Sequence, residues 1–220
     1  MKQVFFEEDF LVFFMDLAPN NNKDWFDVNR QRYLKNVKAP FEAFVAHLIE
    51  KMTKDYPLGD LKASDCIFRI NKDVRFSKDK APYKLQTSAL IKKGGKKAMH
   101  EAGLYIELGP EYLQIYTGVY MPEKDQLETI RKAIAKHPET FTKIIAKPDF
   151  KKYFGAPKGE RSKILPAPLK AAAATCEWIY NKQFYLQHTV DAEKILEPGL
   201  DEYILKVFKA AREYNDFLEP

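Results

Sequence analysis

The chain has 220 residues, of which 45% are hydrophobic, 30% charged and 14% aromatic. That is a globular composition with bulk enough for a sizeable core; it excludes wholesale disorder, collagen-like repeats and a disulfide scaffold, since only Cys66 and Cys176 occur. The net charge of +5 comes from one segment: residues 65–97 hold ten basic residues against three acids, while the rest of the chain carries 26 basic and 28 acidic residues.

Glu7, Glu8 and Asp9 precede a six-residue apolar run, 10–15. A secretory signal wants a basic start and a longer apolar stretch, and nothing approaches the ~18 apolar residues of a membrane helix. The expectation is a cytoplasmic protein without membrane association. Residues 7–17 are predicted as a helix, stopped by Pro19 and the Asn20-Asn21-Asn22 run, which can cap a second helix over 24–36. Pro40 suits the first turn of a third helix, with Phe41, Phe44, Val45, Leu48, Ile49 and Met52 on one face. His47 falls off that stripe and is predicted to face solvent.

Strands follow. Cys66, Phe68 and Ile70 alternate with Ile67, Arg69 and Asn71, a half-buried strand pattern. Residues 86–93, 98–108 and 112–120 supply three more candidates. Gly94-Gly95 is a two-residue hairpin signal, and Gly109-Pro110-Glu111 marks a second turn. Leu104, Ile106 and Leu108 can share a face with Leu113, Ile115 and Val119 only if Leu108 lies opposite Leu113. A two-residue Pro110-Glu111 loop or a four-residue one achieves this, and a three-residue loop flips one strand. Tyr105, Glu107, Gln114, Tyr116 and Tyr120 then collect on the other, polar face.

Helices are predicted again from Pro122, broken at His137-Pro138 and resumed by Phe141, Ile144 and Ile145. Residues 148–159 read as turn-rich, and Pro168 opens an alanine-rich helix. Residues 178–185 fit a strand or a buried helix. Leu200, Ile204, Val207, Phe208 and Ala211 mark a terminal amphipathic helix. The predicted architecture is a single α+β domain, 1–220: helical over 1–57, a mainly antiparallel sheet of about four or more strands over 64–121, and mostly helical over 122–220.

Phosphate-loop, dinucleotide and nucleophile-elbow signatures are missing, and the four histidines stand singly, so no metal and no cofactor are expected. Cys66 reads as an inert core thiol. One constellation stands out, over residues 68–84: Phe-Arg-Ile-Asn-Lys-Asp-Val-Arg-Phe-Ser-Lys-Asp-Lys-Ala-Pro-Tyr-Lys. If it is extended, Arg69, Asp73 and Arg75 share a face, and two guanidinium groups can hold Asp73 or grip an external carboxylate or phosphate. Ser77, Asp79 and Pro82 are turn residues, and aromatics interleave the cations.

At this segment the chain resembles the family designated domain of unknown function 2461, found in bacteria and fungi. Asn21-Asn22-x-x-Trp25-Phe26 and Tyr33 upstream, and Gly103-x-Tyr105 and Gly118-x-Tyr120-x-Pro122 downstream, agree in order; the resemblance covers most of 8–145. The last third departs from the family pattern, because Leu169-Lys170 leads into an alanine run. The resemblance implies one domain of about this length and no activity.

Three functions are open. The first is binding of a small anionic ligand, phosphorylated or acidic, by Arg69, Arg75, Lys80 and Lys84 beside Tyr105, Tyr116 and Tyr120. The second is a hydrolase acting on a sugar or phosphate in the same pocket, with Asp73 or Asp79 as general base and Tyr83 or Arg75 stabilising developing negative charge. The third is a structural or protein-interaction domain without a small ligand. Nucleic-acid binders spread a basic excess over a whole face, with pI above ~9. Here the pI is about 8.9 and the remaining chain is slightly acidic, so no tight nucleic-acid binding is expected. Nothing in the sequence sets an oligomeric state.

Overall fold

Phe10, Phe13, Phe14 and Leu17 recur at helical spacing, and in the computed structural model, which describes residues 2–98 and 102–219, they form the buried face of α1 (Asp9–Leu17). The Asn22 side chain caps α2 (Lys23–Val28) by accepting from the Trp25 N–H at 3.0 Å. The predicted second helix is broken: α3 (Arg30–Tyr33) passes through a π-helical turn at Leu34–Lys38 into α4 (Ala39–Met52). The whole predicted stripe of α4 is buried. His47 is not solvent-facing as predicted. It is half-buried against Phe5, ring centroids 5.0 Å apart, with Nε2 2.8 Å from an Asp201 carboxylate oxygen.

The first strand expected from the sequence does not form as one. Cys66 ends a single helical turn, α5 (Ala63–Cys66), and residues 67–84 fold back on themselves outside the sheet. The alternation there comes from isolated antiparallel bridges, Ile67 to Ala89 and Asn71 to Tyr83. Cys66 is nonetheless buried, and burial pushes its thiol up to about 11, as an inert core thiol requires.

The sheet is open and antiparallel, in the order β1 (Thr87–Ile91), β2 (Leu104–Leu108), β3 (Tyr112–Val119), β4 (Phe184–Asp191). Three strands come from the middle third; the fourth overlaps the ambiguous segment 178–185 only at Phe184 and Tyr185, the residues Glu177–Tyr180 forming a 3-10 turn, and its remainder was not expected from the sequence. The Gly94-Gly95 hairpin is not formed. Gly95 instead opens a 3-10 turn, Gly95–Lys97, at φ +59°, where a Cβ would lie 2.4 Å from the Asp65 carbonyl oxygen. Part of the expected strand over 98–108, including His100, lies outside the described residues. The second turn does follow the parity argument. The Gly109 N–H donates to the Tyr112 carbonyl at 3.3 Å, so the loop is Pro110-Glu111 and Leu108 faces Leu113. Leu104, Ile106, Leu108, Leu113, Ile115 and Val119 are all buried, while Tyr105, Glu107, Gln114 and Tyr116 are half-buried.

Beyond the sheet, α6 (Lys124–Lys136) ends at the expected His137-Pro138 break, and α7 (Pro138–Ala146) follows. Residues 148–154, read as turn-rich, form α8 (Pro148–Phe154), with Pro148 at its first turn and Phe150 and Phe154 buried. The alanine run is not a continuous helix; 3-10 turns at Ala167–Leu169 and Ala172–Ala174 replace it. Alanine at 171–174 has too little side chain to bury a stripe, and propensity alone does not hold a short helix. The terminal stripe is buried as predicted, Leu200, Ile204, Val207 and Phe208 on α9 (Leu200–Ala210) and Ala211 just beyond it, and α10 (Arg212–Leu218) follows.

The chain divides into two compact units. The first comprises Met1–Lys97, Tyr105–Gln114 and Thr189–Leu205; its core gathers Phe6, Phe10 and Phe44, with Phe6 ring centroids 4.4 and 5.2 Å from the other two. The second comprises Ala98–Leu104, Ile115–His188 and Lys206–Pro220; its core includes Phe141, Phe150 and Tyr214. Among the described residues no helix is long and apolar enough to cross a membrane.

Candidate functional site

The basic motif is a bent hairpin arm. Its base is a short backbone ladder: the Lys84 N–H donates to the Ile70 carbonyl and the Lys72 N–H to the Pro82 carbonyl, each at 2.8 Å. Pairing stops there, and residues 73–81 form the tip. Arg69, Asp73 and Arg75 therefore do not share one extended face. Asp73 is exposed and makes an Asx-type turn. Its carboxylate accepts the Arg75 backbone N–H at 3.3 Å and takes the Arg75 guanidinium through two bonds of 2.9 and 2.7 Å. The Arg75 guanidinium holds the Asp73 carboxyl below the usual carboxylate range. Asp79 caps the returning strand: it accepts the Ala81 N–H at 2.9 Å and pairs with Lys72 at 3.0 Å, and these two donors lower its pKa. Lys80 donates to the Val74 carbonyl at 3.0 Å, and Phe76 stands 95% exposed at the tip.

Tyr83 is buried, with its ring stacked on Phe26 at 4.0 Å and 17°. The Asn21 side chain grips its backbone on both polar groups, accepting from the N–H at 3.0 Å and donating to the carbonyl at 2.9 Å. Upstream motif residues and the arm are thus one packing unit, and Tyr83 belongs to the core.

Arg69 and Lys84 differ from Lys72 and Arg75, which the two motif acids hold. Neither makes an ion pair among the described residues. Lys84 is half-buried, with its ammonium 5.6 Å from the centroid of the Phe68 ring. Burial pushes the ammonium below its ordinary pKa; the field of Glu107 opposes this and that of Arg69 adds to it. Phe68 also meets Tyr105 edge to face, centroids 5.9 Å apart, and the Tyr105 hydroxyl donates to Glu107 at 2.6 Å. Of the residues singled out from the sequence, Lys84 and Tyr105 come together here across the Phe68 ring, and the fields of Glu107 and Arg69 both reach Lys84. Arg75 and Lys80 lie at the arm's tip. Tyr116 and Tyr120 belong to the second unit, where they flank Tyr185 at 6.4 and 5.3 Å. Glu107 was legible only as a member of the polar face of β2; its tie to Lys84 crosses more than 20 positions.

The second unit holds a buried cation that the sequence did not single out. Arg131 of α6 is 8% exposed and donates to the Ser162 hydroxyl at 2.7 Å, the Asn181 carbonyl at 2.9 Å and the Tyr180 carbonyl at 3.3 Å. It ties α6 to the segment over 158–162, which bridges antiparallel to 181–185. Among the described residues no group of three or more His, Cys, Asp or Glu is placed to hold a metal.

An α+β protein with a basic hairpin arm and a partly desolvated lysine at its base is the class this geometry defines. Over residues 9–217 the chain matches the family described as conserved hypothetical protein, DUF2461, and it belongs to that family. The match runs through the last third, including the alanine run where the sequence departs from the expected pattern. No curated protein matches the chain.

Proposed function

We propose that the protein binds a small anionic ligand, phosphorylated or acidic, at Arg69 and Lys84, with Tyr105 and Phe68 beside them. The observation that carries this is the division of labour within the motif. Its two acids, Asp73 and Asp79, are taken by Arg75 and Lys72, so Arg69 and Lys84 at the base of the arm, like Lys78 and Lys80 at its tip, have no carboxylate in contact among the described residues. Lys84 is partly desolvated, so an anion there acts through a lower dielectric than at an open surface. Arg75 and Lys80 form an outer, solvated rim.

Thermal melts test this. Phosphate, sulfate and sugar phosphates are expected to raise the wild-type melting temperature, by an amount equivalent to about 2.7 kcal/mol at a hundredfold excess over Kd. Arg69→Ala and Lys84→Ala are expected to abolish the rise, and Arg75→Ala to leave most of it. If no anion stabilises the wild type, this assignment fails.

A further inference from the structure

We propose that the second unit carries a saccharide site at Tyr116, Tyr120 and Tyr185, for uncharged pyranose rings whose hydroxyls are all equatorial. These residues belong to the second unit, whereas Arg69 and Lys84 belong to the first.

Tyr116 and Tyr120 flank Gly118 at two-residue spacing, and Tyr185 comes from the neighbouring strand β4. Gly118 has φ +86°, and a Cβ there would lie 2.3 Å from the Phe184 carbonyl oxygen, so only glycine fits. A left-handed residue interrupts simple alternation, and parity alone does not say on which face Tyr120 falls. Its ring contact does. Tyr120 meets the Tyr185 ring nearly at right angles, with 5.3 Å between centroids and 75° between planes. Tyr116 meets the same ring at 6.4 Å and 40°. The three rings therefore gather on one face, with no side chain at 118 between them. Tyr120 is 54% exposed, and Tyr116 and Tyr185 are half-buried.

A polar rail runs beside the rings. The Gln187 amide donates to the Tyr116 hydroxyl at 3.2 Å, and its carbonyl accepts from the Lys158 ammonium at 2.7 Å. Lys158 is fixed in turn by its backbone, which pairs with both polar groups of Tyr185 at 2.8 and 3.3 Å. The hydroxyls of Tyr120 and Tyr185 have no hydrogen-bond partner among the described residues.

Aromatic faces beside donors and acceptors match the two-sided chemistry of a sugar. The C–H groups of a pyranose cover a ring, while its hydroxyls exchange hydrogen bonds with an amide and with phenols. When every hydroxyl is equatorial, only C–H bonds project from the two sugar faces, and no polar group is pressed unpaired against a tyrosine. Charge decides against the other occupants of an aromatic patch. Lys158 is the only cation in this set of residues, too little for a phosphodiester strand or an anionic lipid surface.

The decisive measurement is saturation-transfer NMR on the full-length chain, with cellotriose as the probe. Transfer to its ring C–H protons is expected, and it is expected to persist as salt rises from ~0.05 to ~0.5 M, because no ion pair is made. Tyr120→Ala is expected to weaken binding about tenfold, the worth of one aromatic contact, and Tyr120→Phe to retain most of it. Gln187→Met keeps the length but removes the amide; it is expected to weaken binding several-fold and is the second variant should Tyr120→Ala not fold. Arg69→Ala is expected to bind cellotriose as the wild type does, which separates this site from the anion site. Absence of transfer to cellotriose overturns the proposal, as does equal binding by Tyr120→Ala and wild type. Loss of binding in Arg69→Ala, or salt-dependent displacement of cellotriose by oligothymidylate, overturns it as well.

Discussion

Asp73 and Arg131 make opposite use of charge. Asp73 and Arg75 pair two residues apart in the chain, on an exposed tip, and surface pairs of this kind contribute little because water competes and salt screens them. Asp73→Ala is therefore expected to leave the melting temperature unchanged within error. Arg131 is buried and donates to three acceptors, from residues 162, 180 and 181. Arg131→Leu keeps most of the packing but strips the Ser162 hydroxyl and the Asn181 carbonyl of this donor, while the Tyr180 carbonyl keeps the Ser162 N–H at 2.7 Å. With buried unsatisfied groups costing ~1–3 kcal/mol each, and some re-solvation, the expected loss is about 2–3 kcal/mol in urea unfolding. A loss equal to that of Asp73→Ala would contradict this account.

At the scale of elements, two couplings hold the helical layer of the first unit. Asn21, just ahead of α2, treats the backbone of Tyr83 as a strand would, and Phe26 of α2 stacks on the Tyr83 ring. Asn21→Ala is expected to cost about 2 kcal/mol, since an N–H and a C=O lose their partners at once. Asn21→Asp, which retains the acceptor but not the donor, is expected to fall between the two. The second coupling joins α3 to α1: Arg32 engages Asp9 and also bonds Asp16 at 2.7 Å, and Asn36 donates to Asp9 at 2.6 Å. The Arg32 guanidinium holds the Asp9 carboxyl below its ordinary value. A depressed folded-state pKa gives stability that is fully present above the unfolded carboxyl pKa of ~3.9 and is lost as pH falls through the lower, folded value. Removing this group by Asp9→Asn is expected to flatten the acid limb below pH ~4 and to lower stability at neutral pH, both readable in urea titrations at stepped pH.

At the scale of the whole molecule, charge and connectivity make separate predictions. The +5 is confined to one segment and partly answered there by Asp73 and Asp79. Labelled duplex DNA at ~0.15 M salt is expected to bind no more tightly than ~10⁻⁶ M, the non-specific range; nanomolar affinity would mean that the segment works as a nucleic-acid track. Connectivity matters because the first unit is assembled from three stretches of chain. Its His47 reaches Asp201, and its β2 segment begins at Tyr105. A fragment comprising residues 1–97 is therefore expected to show no cooperative unfolding transition, despite containing most of that unit's residues.

Wherever a local rule decides, the sequence by itself determined the outcome. The stripe on α4 follows from 3.6-residue spacing, the Asn22 cap from its short polar side chain, the break at His137-Pro138 from a missing N–H, and the Leu108–Leu113 register from the parity of two apolar sets. The α+β class and the basic motif followed in the same way. Only the tertiary structure decided the rest, because the deciding partners are distant in the chain. Residues 66–71 alternate like a strand yet serve as the base of an arm, since Ala89 and Tyr83 offer only isolated bridges there. His47 lies off its helix stripe yet is covered, because Phe5 and Asp201 reach it from either end of the chain. In the site, Arg69 and Arg75 carry the same charge six positions apart, and their spacing does not rank them. What separates them is that the arm bends at its tip, giving Asp73 to Arg75, while the field of Arg69 reaches a partly desolvated Lys84.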